Sequence, residues 1–289
     1  MGGLVDVAEE VKVKQKMTVP QFKEMKKKGQ KFTMVTAYDY AMASLVDKSD
    51  VEMILVGDSL GMVMLGYEGT VPVTVDDIIH HAKAVVRGAP HTFVIGDMPF
   101  GSYNASVEDA VRNATRIMKE GGVDAVKLEG GKYFAPVIKA IVNAGIPVMG
   151  HIGLTPQTAS ALGGFKVQGK DEKAAQAILE DALAIEEAGA FSVCLECVPH
   201  QLGRLISERL SIPTMGIGAG PDCDSQVLVI HDMLGLFDRF VPKFVKQYVK
   251  LSDQIIKALN EFSDDVREKR FPDLEHSFTM KEEVLKRLY

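Results

Sequence analysis

Apolar runs of four or five residues recur along the chain at 32–36, 53–56, 92–96, 125–128, 147–150, 192–195, 213–217 and 227–230, separated by longer amphipathic stretches. Apolar runs of this kind suit strands covered on both faces, and the stretches between them supply the covering helices. The pattern therefore predicts strand-helix-strand units around a parallel sheet. Eight runs match the closure of the α/β barrel, the (β/α)8 or TIM barrel. Within 171–188, Ala174, Ala177, Ile178, Ile185 and Ala188 form one helical stripe, and Gly189 supplies the stop. A small residue followed by an apolar residue and Pro marks the entry to a strand at Gly145-Ile146-Pro147 and Ser211-Ile212-Pro213, and less well at Gly88-Ala89-Pro90. The stretch from Gly218 to Gln226 is too short for a full crossover helix, so either the seventh unit is abbreviated or the seventh and eighth strands lie elsewhere.

Thr18-Val19-Pro20-Gln21 reads as a capping box that opens a short helix before the first strand. Beyond Val241 an amphipathic stretch runs to about Phe262, followed by a polar tail and a last helix capped by Thr279 with Glu282. A single barrel domain over 1–289 is expected, with the barrel at about 30–240 and helical additions over 241–289. The apolar residues of those additions need a surface to cover, either the barrel or a neighbouring subunit.

The chain is 46% hydrophobic and 25% charged, an ordinary composition for a soluble globular protein. With 33 Lys and Arg against 39 Asp and Glu, its net charge of -6 gives no field that would gather nucleic acid or anionic lipid. No nucleic-acid or membrane partner is expected. Three cysteines cannot close a disulfide set, and nothing near Met1 reads as a secretory signal, which points to the cytoplasm. Asp6 stands where a myristoylation signal would have Ser or Thr, so no lipid anchor is expected.

In such a barrel, chemistry collects at the carboxyl ends of the strands. Polar residues cluster there: Gly57-Asp58-Ser59, Gly96-Asp97, Lys127 and Glu129, Gly150-His151, Glu196 and His231-Asp232. Alternation along a strand puts Lys127 and Glu129 on one face, and Cys194 and Glu196 on one face. Asp58 and Asp97 are the metal candidates. Two carboxylates without Cys or imidazole partners suit a hard ion such as Mg2+ that keeps waters and leaves places for substrate oxygens. Each could instead cap the following helix, but two successive strands ending in Gly-Asp favour a joint role. Glu196, after the apolar Val193-Cys194-Leu195, suits a proton-abstracting base; the competing reading is an ion pair with Lys127 or Arg204. Lys127 would supply charge for an anionic substrate or enolate, with Glu129 orienting it or the metal waters. His151, among small neighbours at a strand mouth, lines the same site or bonds its rim.

Cys194-Leu195-Glu196-Cys197 has the letters of a redox or zinc motif, yet residues three apart in a strand point to opposite faces and no second pair completes a site. Gly216-Ile217-Gly218-Ala219-Gly220 lacks the remaining spacing of a dinucleotide fingerprint and reads as a tight turn.

Taken in order, Thr36-Ala37-Tyr38-Asp39, Val56-Gly57-Asp58-Ser59-Leu60-Gly61-Met62, the run from Gly96 to Tyr103, Lys127-Leu128-Glu129-Gly130-Gly131, the run from Gly150 to Gln157, Leu195-Glu196-Cys197-Val198-Pro199, the run from Gly216 to Gly220 and His231-Asp232-Met233-Leu234-Gly235 resemble the ketopantoate hydroxymethyltransferase family. The resemblance implies a barrel of the phosphoenolpyruvate/pyruvate type, Mg2+ on Asp58 and Asp97 with the acid Glu129 nearby, and Ser59 and Lys127 on the 2-oxoacid. It further implies His151 in the pocket and Glu196 as the base. By the same resemblance the substrate is 3-methyl-2-oxobutanoate, the one-carbon donor is 5,10-methylenetetrahydrofolate, the product serves pantothenate synthesis, and the assembly is a homo-oligomer, a decamer. Ser225 departs from the family's usual Gly. The nearest rival is another Mg2+-dependent oxoacid lyase or mutase of the same superfamily.

Overall fold

The structure is a computed structural model that describes residues 14–237 and 239–288. The expectation about an amino-terminal lipid anchor falls outside the described residues. The chain forms two compact units, one made of residues up to 230 together with 242–245, the other of 231–241 and the residues from 246 onward.

In the first unit the strands are β1 (Phe32–Thr36), β2 (Met53–Val56), β3 (Phe93–Asp97), β4 (Ala125–Glu129), β5 (Val148–Gly153), β6 (Ser192–Glu196), β7 (Thr214–Ile217) and β8 (Ser225–Leu228). They pair in parallel and in chain order, and β8 closes on β1, which is the closed eight-stranded barrel that the apolar runs predict. The helices are α1 (Val19–Lys27), α2 (Tyr40–Asp47), α3 (Leu60–Val63), α4 (Val75–Gly88), α5 (Val107–Gly121), α6 (Ala135–Asn143), α7 (Glu172–Glu187) and α8 (His200–Arg209), and the short α9 (Ile230–Met233) begins where this unit ends. The helix expected at 171–188 is α7, with Asp171 Oδ1 accepting from Ala174 N at 2.9 Å and Gly189 at φ +95° beyond its end. No helix separates β7 from β8, so of the two alternatives the abbreviated seventh unit holds. β8 itself lies two residues earlier than the predicted 227–230.

Inward-pointing residues of alternating parity fill the barrel, among them Met34, Leu55, Ile95, Met149, Cys194 and Met215. The amino-terminal mouth is closed by Phe22 of α1, whose ring lies 5.1 Å from that of Phe32 and 5.4 Å from that of Phe93. Burying one such side chain contributes roughly 1.5–3 kcal/mol. Carboxylates near this end are tied to strand starts. Asp124 accepts from Val94 N at 2.8 Å and pairs with Lys16 at 2.7 Å, and Asp224 accepts from Thr214 N at 2.8 Å and pairs with Lys26 at 2.6 Å. These acids satisfy backbone groups and are not available for chemistry. Thr18 does open α1, its N and Oγ1 both donating to Gln21 Oε1 at 2.8 Å.

In the second unit, α10 (Leu251–Arg267) starts ten residues later than the amphipathic pattern predicts, and α11 (Glu282–Leu285) starts at Lys281 without the Thr279 cap. Among the described residues no helix is long and apolar enough to cross a membrane.

Candidate active site

The barrel register sets the site. Asp97 on β3 lies beside Lys127 on β4, Glu129 beside His151 on β5, and Gly153 beside Glu196 on β6. Inward parity then turns these side chains into the carboxyl-end mouth. Lys127 Nζ and Asp97 Oδ1 stand 2.8 Å apart, both almost fully buried. His151 bridges two acids, with Nδ1 at 3.4 Å from Glu129 Oε1 and Nε2 at 3.2 Å from Glu196 Oε2. Asp58, just past β2, donates its backbone N–H to Asp97 Oδ2 at 3.2 Å. Ser59 follows it at the start of α3, its hydroxyl 2.8 Å from the Tyr38 phenol. The six charged candidates and Ser59 thus meet at one end of the barrel.

Electrostatics distinguish the members. Burial, and after it the charges of Asp97 and Glu129, push Asp58 well above the usual carboxylate range. Burial also raises Asp97, against the opposing Lys127. For Lys127, burial disfavours the charge, but Asp97, Glu129 and Asp58 outweigh it and hold the ammonium above its ordinary value. Burial and Lys127 likewise oppose protonation of His151, yet its hydrogen bonds to Glu129 and Glu196 win and raise it to about 9. His151 thus sits between Glu129 and Glu196, with the Lys127 ammonium 3.5 Å from its Nδ1.

Glu196 pairs with neither Lys127 nor Arg204, the partners of its competing reading: it faces His151, while Arg204 binds Glu208 at 2.9 Å. Its side chain retains 14% exposure, the most open of the paired acids in the mouth. Cys197, the next residue, has φ 48° and lies outside the strand, so the CxxC letters span a turn; all three cysteines are free. Burial raises the Cys197 thiol to about 12.

Two glycines let the backbone approach. A Cβ on Gly96 would come within 2.6 Å of Ile117 on α5, so only Gly seats that helix directly behind Asp97. Gly153, at φ +91°, would carry a Cβ 2.3 Å from Glu196 O and 2.8 Å from Val198 Cγ1. Gly153→Ala is expected to shift Glu196, lowering turnover at least tenfold and stability by about 1–3 kcal/mol. Steady-state rates and thermal unfolding check both, and an unchanged rate would mean the local backbone does not set the position of Glu196.

Sequence reading missed Gln157 and Tyr103. Both fall in runs that carry the family resemblance, but neither ends a strand or is titratable at neutral pH, so neither the strand-end rule nor charge picks them out. Gln157 touches Asp58 at 2.8 Å through Nε2 and Glu129 at 3.0 Å through its backbone N.

The donors fit a hard divalent cation. Three buried carboxylates, Asp58, Asp97 and Glu129, face the buried ammonium of Lys127, and the upward shift of Asp58, due first to burial and then to the charges of Asp97 and Glu129, is one that a bound cation would oppose. Among the described residues no group of three His, Cys, Asp or Glu forms a ready cage.

The model of the ketopantoate hydroxymethyltransferase family matches residues 16–274. The 3-methyl-2-oxobutanoate hydroxymethyltransferase of Heliobacterium modesticaldum is 65% identical over 269 residues, 93% of this chain and 98% of the relative. That of Moorella thermoacetica is 60% identical, over 91% of this chain and 98% of the relative. Among solved structures, a phosphonopyruvate hydrolase in complex with oxalate and Mg++ superposes with TM-score 0.58 at 13% identity, covering 93% of this chain and 94% of its own. A 2,3-dimethylmalate lyase of the PEP mutase/isocitrate lyase superfamily does so at 0.56 and 14%, covering 91% and 93%; such likeness shows the barrel fold. With a match along nearly the whole chain and relatives at 60–65% identity, this chain belongs to the ketopantoate hydroxymethyltransferase family.

Proposed function

We propose that the protein joins the one-carbon unit of 5,10-methylenetetrahydrofolate to C3 of 3-methyl-2-oxobutanoate, with water supplying the hydroxyl, to give 2-dehydropantoate for pantothenate synthesis. The observation that carries this reading is Glu196, partly open to solvent and 3.2 Å from His151, beside a buried set of three acids and Lys127. Asp58 and Asp97, with Glu129, would hold Mg2+. When bound, that ion supplies Lewis acidity toward the oxoacid's carboxylate and keto oxygens, which makes the C3 proton easier to remove.

The chain's own residues do the rest. Ser59 and Lys127 bind the oxoacid, the ammonium matching its negative charge and that of the enolate formed from it. His151 Nε2, 3.2 Å from Glu196 Oε2, fixes the direction of the carboxylate that takes the C3 proton. Water displaces both folate nitrogens from the methylene carbon, releasing tetrahydrofolate and leaving that carbon as a carbonyl; the enolate carbon adds to it, and the resulting alkoxide takes up the proton held by Glu196 to become the hydroxyl.

Self-association as a decamer and a cytoplasmic location belong to the same reading. For the former, α10 buries none of its residues and exposes Ile255, Leu259, Phe262 and Val266 at helical spacing.

The test supplies purified protein with 3-methyl-2-oxobutanoate, Mg2+ and 5,10-methylenetetrahydrofolate, following carrier loss and product mass. Equimolar carrier loss and 2-dehydropantoate are expected. Conversion of the oxoacid without the carrier would overturn the proposal in favour of a lyase or mutase.

A further inference from the structure

Gln157 lies on a short 3-10 turn, Pro156–Thr158, in the loop between β5 and α7, and is only 3% exposed. Its amide Nε2 donates to Asp58 Oδ2 at 2.8 Å and to Met98 O at 3.0 Å, while its Oε1 accepts from the Tyr103 phenol at 2.6 Å. Two acceptors on one end and a hydroxyl donor on the other leave this amide one orientation. Turned over, it would set its oxygen against both Asp58 and Met98 and lose two hydrogen bonds in a buried place. The same residue's backbone N–H reaches Glu129 Oε2 at 3.0 Å, so one loop residue grips acids that come from β2 and β4.

Packing alone does not explain this arrangement. A hydrocarbon would fill the space, and the Met98 carbonyl alone would satisfy one N–H of an amide. Here the second N–H is spent on Asp58, and Tyr103 locks the direction in which it points. The two metal candidates are thus held by different chemistry: Asp97 by a cation at 2.8 Å, Asp58 by a neutral donor at the same distance. A neutral donor fixes the plane of a carboxylate without cancelling its charge, and so leaves Asp58 able to attract a cation.

We infer that Gln157, oriented by Tyr103, is a positioning residue that presents Asp58 to the divalent ion. The inference rests on the reading of Asp58 as a ligand. It acts through Asp58, and Tyr103 acts only through Gln157. Outer partners of this kind typically change metal affinity by about 10–100-fold.

The experiment is calorimetric titration of the full chain with Mg2+ alone, on the unsubstituted protein and on Gln157→Leu, Tyr103→Phe, the double variant and Asp58→Asn, with thermal unfolding of each. Gln157→Leu is expected to weaken Mg2+ about 10–100-fold. Tyr103→Phe should weaken it less, and the double variant should be no weaker than Gln157→Leu. Mg2+ affinity within twofold of the unsubstituted protein in Gln157→Leu, with Asp58→Asn impaired, overturns the inference; additive losses in the double variant overturn the role of Tyr103. Normal affinity in Asp58→Asn would instead overturn the underlying reading of the ligand. Should Gln157→Leu fail to fold, Tyr103→Phe decides alone, since unchanged affinity there contradicts the lock.

Discussion

Replacing Glu196 with Gln is expected to lower turnover by about 10²–10⁴-fold, the range for loss of a positioned general base, while the dissociation constant for 3-methyl-2-oxobutanoate stays within about threefold. The amide keeps the side chain's size and can still accept a hydrogen bond from His151 Nε2, 3.2 Å away. It cannot take a proton. On the proposed reading the charge that attracts the oxoacid comes from Lys127, which is buried against Asp97, so binding should survive. Rapid-quench rates and calorimetric binding measure the two quantities separately. A variant that keeps more than a tenth of the rate would remove Glu196 from the role of base.

The second large effect is expected from Asp97→Ala. Asp97 and Lys127 are buried partners at 2.8 Å, and removing one strands the other's charge in the barrel mouth. Breaking a buried pair in this way typically costs about 3–5 kcal/mol. In the same variant Mg2+ and oxoacid affinity should fall together, because one ligand is lost and Lys127 loses the partner that fixes its position. Asp97→Asn separates the two effects: it keeps a polar partner for Lys127 and should recover part of the stability without recovering metal affinity. Denaturant unfolding and metal titration read these outcomes, and normal Mg2+ affinity in both variants would exclude Asp97 as a ligand.

The fold was legible because a parallel barrel writes its strands as separate apolar runs and its turns as Gly and Pro. Even the missing seventh helix was one of the two readings that the length of 218–226 left open. The candidate residues were legible for a related reason: Asp97, Lys127, Glu129 and Glu196 break apolar strands at their carboxyl ends, where a charge has no packing role. What they touch was not. The bridge that His151 makes between Glu129 and Glu196 depends on β4, β5 and β6 lying in a register that spacing within any one strand does not reveal. Gln157 and Tyr103 stayed hidden because a neutral amide and a phenol in loops look like many others until the fold brings both to Asp58. Beyond 241 the amphipathic pattern misplaced the helix start, since apolar periodicity continues through Pro242 where the backbone does not.

The central claim is that the mouth of this barrel makes the C3 hydrogen of a 2-oxoacid labile and that Glu196 removes it. Proton NMR of 3-methyl-2-oxobutanoate in heavy water, with protein and Mg2+ but no folate, tests it most directly. The C3 methine signal should disappear at a rate proportional to the unsubstituted protein and persist with Glu196→Gln; loss of the signal at equal rates with both proteins would contradict the account.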